Sequence, residues 1–261
     1  FWCCSRGSYR LYYVPILLLL HSTTVLFFSA GTVWMQEILP LVLNGGNGCG
    51  SVGISTGAGH TFSLPPHAPF LPHLQSQGGG GFSLVSLPQV IYVMRNPKDV
   101  MVSSYFFHQM AEFLEDPGTF DEFMDKFLEG RVTFGKWTDH VKGWRDTELG
   151  DRIMYITYEE MAKDLPAAVR RFSDFLGRNL SEEVIQKIAE HCSFKTMKTN
   201  KMSNFSLVPK EFMNPDKSPF FRKGVAGDWE NHFSSEQLAR FTSAIRKEME
   251  SASFSLPWSM E

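Results

Sequence analysis

Two short apolar runs in the second part of the chain predict buried strands. Residues 90–94 (Val-Ile-Tyr-Val-Met) and residues 152–157 are mainly apolar, as parallel strands are when helices cover both faces of a sheet. Apolar positions with helical spacing predict helices over about residues 98–113, 120–128, 134–144, 159–176, 181–191 and from 234 onward. Because strands alternate with long helices, we predict an α/β fold with a parallel sheet covered by helices on both faces.

The ends of several predicted helices have residues that favour helix boundaries. Asn96 and Pro97 suit the N-cap and the first position of the helix after the first run. Gly177 suits the position that follows a helix. Ser234 and Gln237 have the spacing of a capping box ahead of the last predicted helix.

Charged residues are distributed very unevenly. Of the 25 basic and 28 acidic residues, three fall in residues 1–88 and the other 50 in residues 89–261. A folded soluble segment normally has about a quarter of its residues charged. We therefore predict a domain over residues 31–261 that is interrupted by a Gly- and Pro-rich low-complexity loop at 44–88. Residues 1–30 are interpreted as an apolar segment that does not belong to the fold.

The apolar run at residues 11–30 has an alternative interpretation. Arg6 and Arg10 precede it, so it faintly resembles a signal peptide or membrane anchor. Pro15, His21 and the three consecutive hydroxyl residues at 22–24 interrupt it, which disfavours membrane insertion. We favour a segment that is foreign to the domain, and we keep a membrane-anchored non-enzyme as an alternative.

Composition disfavours several kinds of protein. A net charge of −3 indicates no nucleic-acid partner. The four cysteines show no metal-ligand spacing and no disulfide framework, which favours a reducing compartment and therefore the cytoplasm. His60, His67 and His73 are interpreted as loop histidines rather than metal ligands. No Gly-x-x-x-x-Gly-Lys-Ser/Thr loop occurs, so a kinase or NTPase is disfavoured.

An arginine lies where the first strand gives way to a helix. Arg95 has planar donors that suit a phosphate, and the following helix N-terminus adds backbone N–H groups and a favourable dipole. Ser103, two turns into that helix, adds a hydroxyl donor. The alternative is a surface arginine beside a capped helix.

A second cationic segment lies near the end of the chain. Arg222 and Lys223 are followed by Gly224, and a glycine lets the backbone come close to an anion. The segment therefore suits a second phosphate clamp. The alternative is a basic turn on the surface.

Together these segments resemble the cytosolic sulfotransferases in order and spacing. The resemblance rests on residues 90–103, the pair Tyr158-Glu159, residues 193–197 (Ser-Phe-Lys-Thr-Met) and residues 222–229 (Arg-Lys-Gly-Val-Ala-Gly-Asp-Trp). It implies the sulfotransferase fold, a P-loop-like architecture, here incomplete at its N-terminal side. It also implies 3′-phosphoadenosine 5′-phosphosulfate (PAPS) as co-substrate, sulfuryl transfer to a hydroxyl or amine of a small acceptor, and no metal.

The resemblance assigns roles to individual residues. Arg95 and Ser103 match ligands of the nucleotide 3′-phosphate, and a second group matches a further clamp on the same phosphate: Arg222, Lys223 and Gly224. Four residues match positions around the adenine: Tyr158, Ser193, Phe194 and Met197. Cys192 stands where many members have Thr.

An earlier stretch, residues 31–39, resembles the end of the family's phosphosulfate loop and the helix after it. Gly31, Thr32 and the base-stacking Trp34 are present, but Ser29 stands where the loop lysine is expected. The first core strand before the loop and the Lys-Thr-His-Leu-Pro segment with the family's base histidine have no evident counterpart. We therefore assign no catalytic residue, and we keep an inactive protein that binds PAPS or its product PAP as an alternative.

A last departure concerns assembly. Many members dimerise through a Lys-x-x-x-Thr-Val-x-x-x-Glu motif, and all four corresponding positions differ here: Glu230, Ser234, Ser235 and Ala239. We therefore expect no dimer of the family type.

Overall fold

The computed structural model describes residues 16–19, 22–26, 30–47, 89–133 and 135–260. Its strands are β1 (Ile16–Leu19), β2 (Ser22–Leu26), β3 (Gln89–Met94) and β4 (Ile153–Thr157). Its helices are α1 (Thr32–Leu43), α2 (Pro97–Met110), α3 (Phe120–Glu129), α4 (Trp137–Arg145), α5 (Tyr158–Lys163), α6 (Leu165–Phe175), α7 (Glu182–His191), α8 (Phe194–Thr199) and α9 (Ser235–Met249).

The strands form one sheet in the order β1-β2-β3-β4. Strands β2, β3 and β4 are parallel, with Tyr92 of β3 opposite Val25 on one side and Tyr155 on the other. Strand β1 is antiparallel to β2. The predicted parallel sheet flanked by helices is therefore confirmed, with one antiparallel strand added at its edge.

The sheet extends into the stretch that the sequence analysis leaves outside the domain. β2 lies directly before Gly31 and α1, which is the place of the core strand that we predicted to be missing. That prediction is wrong. Residues 22–26 lie inside a longer apolar run, and hydrophobicity alone does not separate a short strand from the rest of such a run. The predicted boundary at residue 30 cuts across this sheet.

The predicted helix over residues 159–176 is two helices. Thr157 closes a capping box at the start of α5, and the backbone turns at Asp164 before α6. The Asp164 side chain accepts a hydrogen bond from the Ala167 N–H at 3.0 Å and so caps α6. Pro166 stands at the start of α6, where its missing N–H breaks no helical hydrogen bond.

Other boundaries are close to the predicted ones. The Asn96 cap and the capping box of Ser234 and Gln237 are both present. Helix α2 ends at Met110 rather than near residue 113, because Ala111 adopts extended backbone and forms a bridge with Met213.

Strand β3 divides the core between the two faces of the sheet. Ile91 and Val93 belong to a cluster with α1, α6 and α7, whereas Tyr92 belongs to a cluster with α3, α4 and α9. This alternation follows from the two-residue period of a strand. No helix in the described part of the chain is both long enough and apolar enough to cross a lipid bilayer.

Candidate functional site

Arg95 joins three segments at the carboxyl end of β3. It is 7% exposed, its Nη2 donates to the Val225 carbonyl at 3.3 Å, and its Cζ lies 4.1 Å from the centroid of the Tyr158 ring. Tyr158 is the first residue of α5, directly after β4. Two parallel strands and the second cationic segment, residues 222–225 (the cationic loop), therefore meet at Arg95. This is the sheet edge where ligands of open α/β folds generally bind.

Asn96 and Pro97 start α2 beside this arginine. The Asn96 side chain accepts a hydrogen bond from the Lys98 N–H at 3.0 Å. The Asn96 N–H donates to Glu159 Oε1 at 2.9 Å, which ties α2 to α5. Burial raises the pKa of Glu159 in spite of that hydrogen bond.

Ser103 is half-buried on α2 and lies three residues before Phe106. Side chains three residues apart share a helix face. The guanidinium of Arg222 lies over the Phe106 ring, with 4.7 Å between its Cζ and the ring centroid. Ser103 is therefore on the side of α2 that faces the second cationic segment.

Arg222 and Lys223 converge on one buried carboxylate, Asp228. Arg222 Nη1 donates to Asp228 Oδ2 at 2.5 Å, and Lys223 Nζ donates to Oδ1 at 2.6 Å. Asn231 and His232 also contact this carboxylate, at 2.9 and 3.0 Å. Burial raises the pKa of Asp228, but these hydrogen bonds outweigh burial and hold that pKa well below its usual range.

Gly224 brings the cationic loop against the Phe194 ring. Its φ is +68°, and a Cβ built there would lie 2.0 Å from Phe194 Cδ2. Only a glycine fits this combination of a left-handed backbone and a close contact. The Phe194 ring also packs on Phe221 in a T-shaped arrangement, at 5.6 Å between centroids.

An aromatic group packs beside Arg95. Trp34 of α1 and Tyr158 meet edge to face at 5.3 Å between centroids, and Trp34 Nε1 donates to the Cys192 carbonyl at 2.8 Å. A Cβ at Gly31, which has φ +105°, would lie 3.3 Å from the Tyr158 ring. Thr32 is half-buried at the first position of α1.

The segment around α8 completes this group. Ser193 caps α8, accepting from the Thr196 N–H at 3.3 Å, and its Oγ lies 2.8 Å from Thr196 Oγ1. Met197 is 2% exposed and joins the core cluster that contains Cys192. Burial, with a smaller effect of Glu37, raises the pKa of the Cys192 thiol to about 12.

Most of the residues predicted from the sequence are thus connected in space. A chain of contacts runs from Gly31 and Trp34 through Tyr158 and Arg95 to Val225. The same loop reaches Phe194 through Gly224. Residues 28, 29 and 48–88, where the loop lysine and the base histidine are expected, lie outside the described residues, as do the three loop histidines.

Sequence reasoning missed two carboxylates at this site. Asp228 lies within the motif at residues 222–229, but its residue type assigns it no role there, and Asp99 lies in the first turn of α2, where an acidic residue ordinarily complements the helix dipole. Asp99 is 2% exposed and accepts hydrogen bonds from the N–H groups of Gly227 and Trp229. A buried carboxylate in such a position signals a partner, but the sequence does not identify it.

Two further predictions concern metal and assembly. Within the described ranges no group of three His, Cys, Asp or Glu side chains is arranged to hold a metal ion. The four positions of the family's dimer motif, Glu230, Ser234, Ser235 and Ala239, are all exposed. The expectation of no family-type dimer stays a prediction.

Comparison with known proteins identifies the family. Residues 54–253 match the sulfotransferase domain. The chain belongs to the sulfotransferase family. Among its relatives, human sulfotransferase 2B1 is 41% identical over 242 residues, which covers 88% of this chain and 66% of the human protein. Mouse sulfotransferase 2B1 is 37% identical over 248 residues, covering 90% of this chain and 72% of the mouse protein.

A solved structure has the same fold over the matched part of the chain. The crystal structure of retinol dehydratase in complex with androsterone and the inactive cofactor PAP is 30% identical, with a TM-score of 0.59. The match covers 67% of this chain and 53% of that one. This chain therefore spans about half the length of that protein.

Proposed function

We propose that this sulfotransferase-family chain binds PAPS and transfers its sulfuryl group to a hydroxyl or amine of a small acceptor. One observation supports the proposal most directly: Arg95 donates to the Val225 carbonyl, in the loop that contains Arg222, Lys223 and Gly224. Two cationic segments 127 positions apart thus meet beside one helix N-terminus. Such a meeting point has the donors and the charge that suit a phosphate.

The charges at this meeting point fit a phosphate monoester. Arg95, Arg222 and Lys223 outnumber the two carboxylates of this site, Asp228 and Asp99, and a phosphate monoester carries a charge of about −1.5 to −2 at neutral pH. Lys223 is 47% exposed, and its ammonium has three donors, so it can donate to a ligand while it stays paired with Asp228. In this proposal Arg95, Ser103, Arg222, Lys223 and the Gly224 backbone hold the 3′-phosphate.

The aromatic group fits a nucleobase. Trp34, Tyr158 and Phe194 present ring faces and edges beside the cations, and stacking on such rings suits any base. Ser193 and Met197 line the same region at α8. In this proposal the base lies on these rings, beside Arg95 and next to the cationic loop that packs on Phe194.

The N-terminus of α1 is proposed to hold the 5′ end. Gly31 and Thr32 open this 12-residue helix, whose first backbone N–H groups have no partners within the helix. Bound PAPS would supply the sulfuryl group for transfer. The residues of this chain described above orient that group, whereas the proton of the acceptor has no base among the residues that we assign.

A PAP-binding protein without turnover is the second candidate, because Ser29 replaces the loop lysine. Calorimetry with adenosine 3′,5′-bisphosphate, beside a turnover assay with PAPS and a panel of phenols, sterols and amines, separates the two. Binding with turnover supports the transferase. Binding without turnover supports the second candidate, and absence of binding contradicts both.

Arg222→Ala tests the phosphate clamp within the same experiment. Loss of a charge-assisted hydrogen-bonded partner is expected to weaken binding of the bisphosphate by about tenfold or more. Arg240→Ala is the matched control, since Arg240 is 44% exposed and pairs with Asp121 at 2.7 Å on the surface. Equal affinities of the two variants would contradict the clamp.

Location and partners stay predictions within this proposal. A small-molecule acceptor, no nucleic acid and a cytoplasmic location agree with the composition. Alkaline carbonate extraction from cells tests the membrane-anchored alternative: recovery in the membrane pellet would favour that alternative over a cytoplasmic enzyme.

A further inference from the structure

The cationic loop is attached to α2 by a carboxylate that makes two backbone hydrogen bonds. Asp99 Oδ2 accepts from the Gly227 N–H at 2.7 Å, and Oδ1 accepts from the Trp229 N–H at 3.1 Å. Asp99 is 2% exposed. Hydrogen bonds to an ionised, buried acceptor are among the strong ones in proteins. The backbone on both sides of residue 228 is therefore held against the first turn of α2.

The neighbouring Lys98 holds the Trp229 side chain from the same turn. Its Nζ lies 4.0 Å from the ring centroid and 3.5 Å from the Ser259 carbonyl. Burial lowers the pKa of Lys98 despite the nearby Asp99. Trp229 is thus fixed through its backbone and through its ring.

Asp228, between these two anchored residues, turns its carboxylate towards the phosphate clamp. Its side chain is 2% exposed and accepts from Arg222 Nη1 at 2.5 Å and from Lys223 Nζ at 2.6 Å. Arg and Lys have many rotamers, and a fixed partner lowers the entropy that their ordering costs on binding.

We propose that Asp99 and Asp228 are positioning residues that act in series on the nucleotide 3′-phosphate site. Asp99 fixes the backbone around Asp228, and Asp228 fixes Arg222 and Lys223 for the phosphate. Neither carboxylate contacts the nucleotide. This inference rests on the proposed function. It attributes the fixed positions of the Arg222 and Lys223 side chains to two carboxylates that do not themselves bind the phosphate.

The series also explains how the two cationic segments keep their positions relative to each other. Asp99 lies four residues before Ser103, on the same helix face. One turn of α2 therefore anchors the loop, and the next presents the hydroxyl that we assign to the same phosphate. Loss of Asp99 is expected to uncouple the segments without removing either of them.

Calorimetry on the full chain with two nucleotides tests this inference. Adenosine 3′,5′-bisphosphate has the 3′-phosphate, whereas adenosine 5′-monophosphate lacks it. Asp99→Asn is expected to weaken binding of the bisphosphate about tenfold and to leave binding of the monophosphate within about twofold. Asp121→Asn is the control, because this exposed carboxylate pairs with Arg240 on the surface and is expected to change neither affinity.

A purely structural role predicts a different pattern. If Asp99 only stabilises the fold, its substitution weakens binding of both nucleotides equally. That result would overturn the inference. An unchanged affinity for the bisphosphate would overturn it as well. If the unsubstituted chain binds both nucleotides equally, the proposed function itself fails, and that outcome is recognised before any variant is compared.

The serial arrangement has its own test. Asp228→Asn is expected to weaken binding of the bisphosphate about tenfold. The double variant with Asp99→Asn is expected to lose no more affinity than either single variant, because both substitutions free the same Arg222 and Lys223 side chains. Additive losses would contradict the series. Tighter binding by Asp228→Asn would show that this carboxylate competes with the phosphate instead of positioning its ligands. Asp228→Asn also keeps the inference testable if Asp99→Asn does not fold.

Discussion

The sheet face that packs on α1, α6 and α7 is built largely from aliphatic side chains, whereas the face that packs on α3, α4 and α9 is rich in aromatic rings. Ile38 and Val169 are typical of the aliphatic face, and Phe127 and Trp137 of the aromatic face. The aromatic face also contains a partly buried polar pair, in which the Tyr92 hydroxyl and His140 Nδ1 lie 2.9 Å apart.

The two faces contribute different parts of the site. Met197 and Cys192 belong to the aliphatic cluster, and Trp34 packs against that cluster. The residues proposed to hold the base, here called the base platform, therefore rest on the aliphatic face. Val100 and Met101 of α2 belong to the aromatic cluster, so the helix beside the phosphate clamp rests on the other face. The proposed nucleotide is thus held where two separately packed layers meet, at the end of β3.

The largest loss of nucleotide affinity is expected at Gly224, where the phosphate clamp packs against Phe194 of the base platform. Gly224→Ala adds a Cβ that would lie 2.0 Å from the Phe194 ring, at a φ of +68°. The strained backbone and the displaced ring are expected to weaken binding of adenosine 3′,5′-bisphosphate about 100-fold, or by about 3 kcal/mol. Calorimetry measures the affinity, and thermal unfolding measures the accompanying loss of stability.

Gly177→Ala separates strain from contact. Gly177 has φ +64° and nothing within 4 Å of a built Cβ, so its substitution is expected to cost stability of about 1 kcal/mol without changing affinity. If both variants bind equally well, Gly224 does not join the two parts of the site.

The next effect is a pH dependence of folding stability, which His140 contributes on the aromatic face. Burial lowers the pKa of His140 to about 4. The unfolded chain has a histidine pKa of about 6.5, so it binds the proton more readily. The stabilising contribution is complete above pH ~6.5 and is lost as pH falls towards about 4, a difference of about 3 kcal/mol. Urea unfolding at a series of pH values measures it.

His140→Gln removes this titration and is expected to flatten the stability curve between about pH 6.5 and 4. His108→Gln is the comparison, since burial also lowers the pKa of His108, but a hydrogen bond with the Ser104 carbonyl opposes that effect. It should flatten the curve less. A pH profile that His140→Gln leaves unchanged would show that the aromatic face does not differ from the aliphatic one in this respect.

The smallest effect is expected at the platform. Ser193→Ala removes the cap of α8 and is expected to cost about 1 kcal/mol of stability. Ser181→Ala removes the equivalent cap of α7 and should cost a similar amount. Because Ser193 is proposed to lie beside the base, only its substitution should weaken nucleotide binding. Equal binding by both variants would restrict Ser193 to capping.

Local signals explain what could be predicted. The strand, Arg95 and the Asn96-Pro97 helix start are adjacent in the sequence, so their geometry follows from short-range rules. Pro166 lies in the interior of the predicted helix over residues 159–176, where a proline signals a helix end or kink, so the break at Asp164 was predictable from the sequence.

Distant partners explain what could not be predicted. Asp99 and Gly227 are 128 positions apart, and nothing in the polarity of either residue identifies the other. The place of β2 in the sheet depends on its register with β3, with Ser22 opposite Gln89. Such pairings become visible only when the chain is folded.

By itself, the sequence of this protein determined the family, the strand and helix types of its second part, and the residue types of two phosphate-binding segments. Short motifs contain that information, because their chemistry depends on neighbouring residues. The tertiary structure alone decided that Arg95 meets the loop of Arg222, and that Asp99 and Asp228 hold this loop. The physical reason is that a hydrogen bond between distant segments depends on how helices pack on the sheet, and that packing is a property of the whole core.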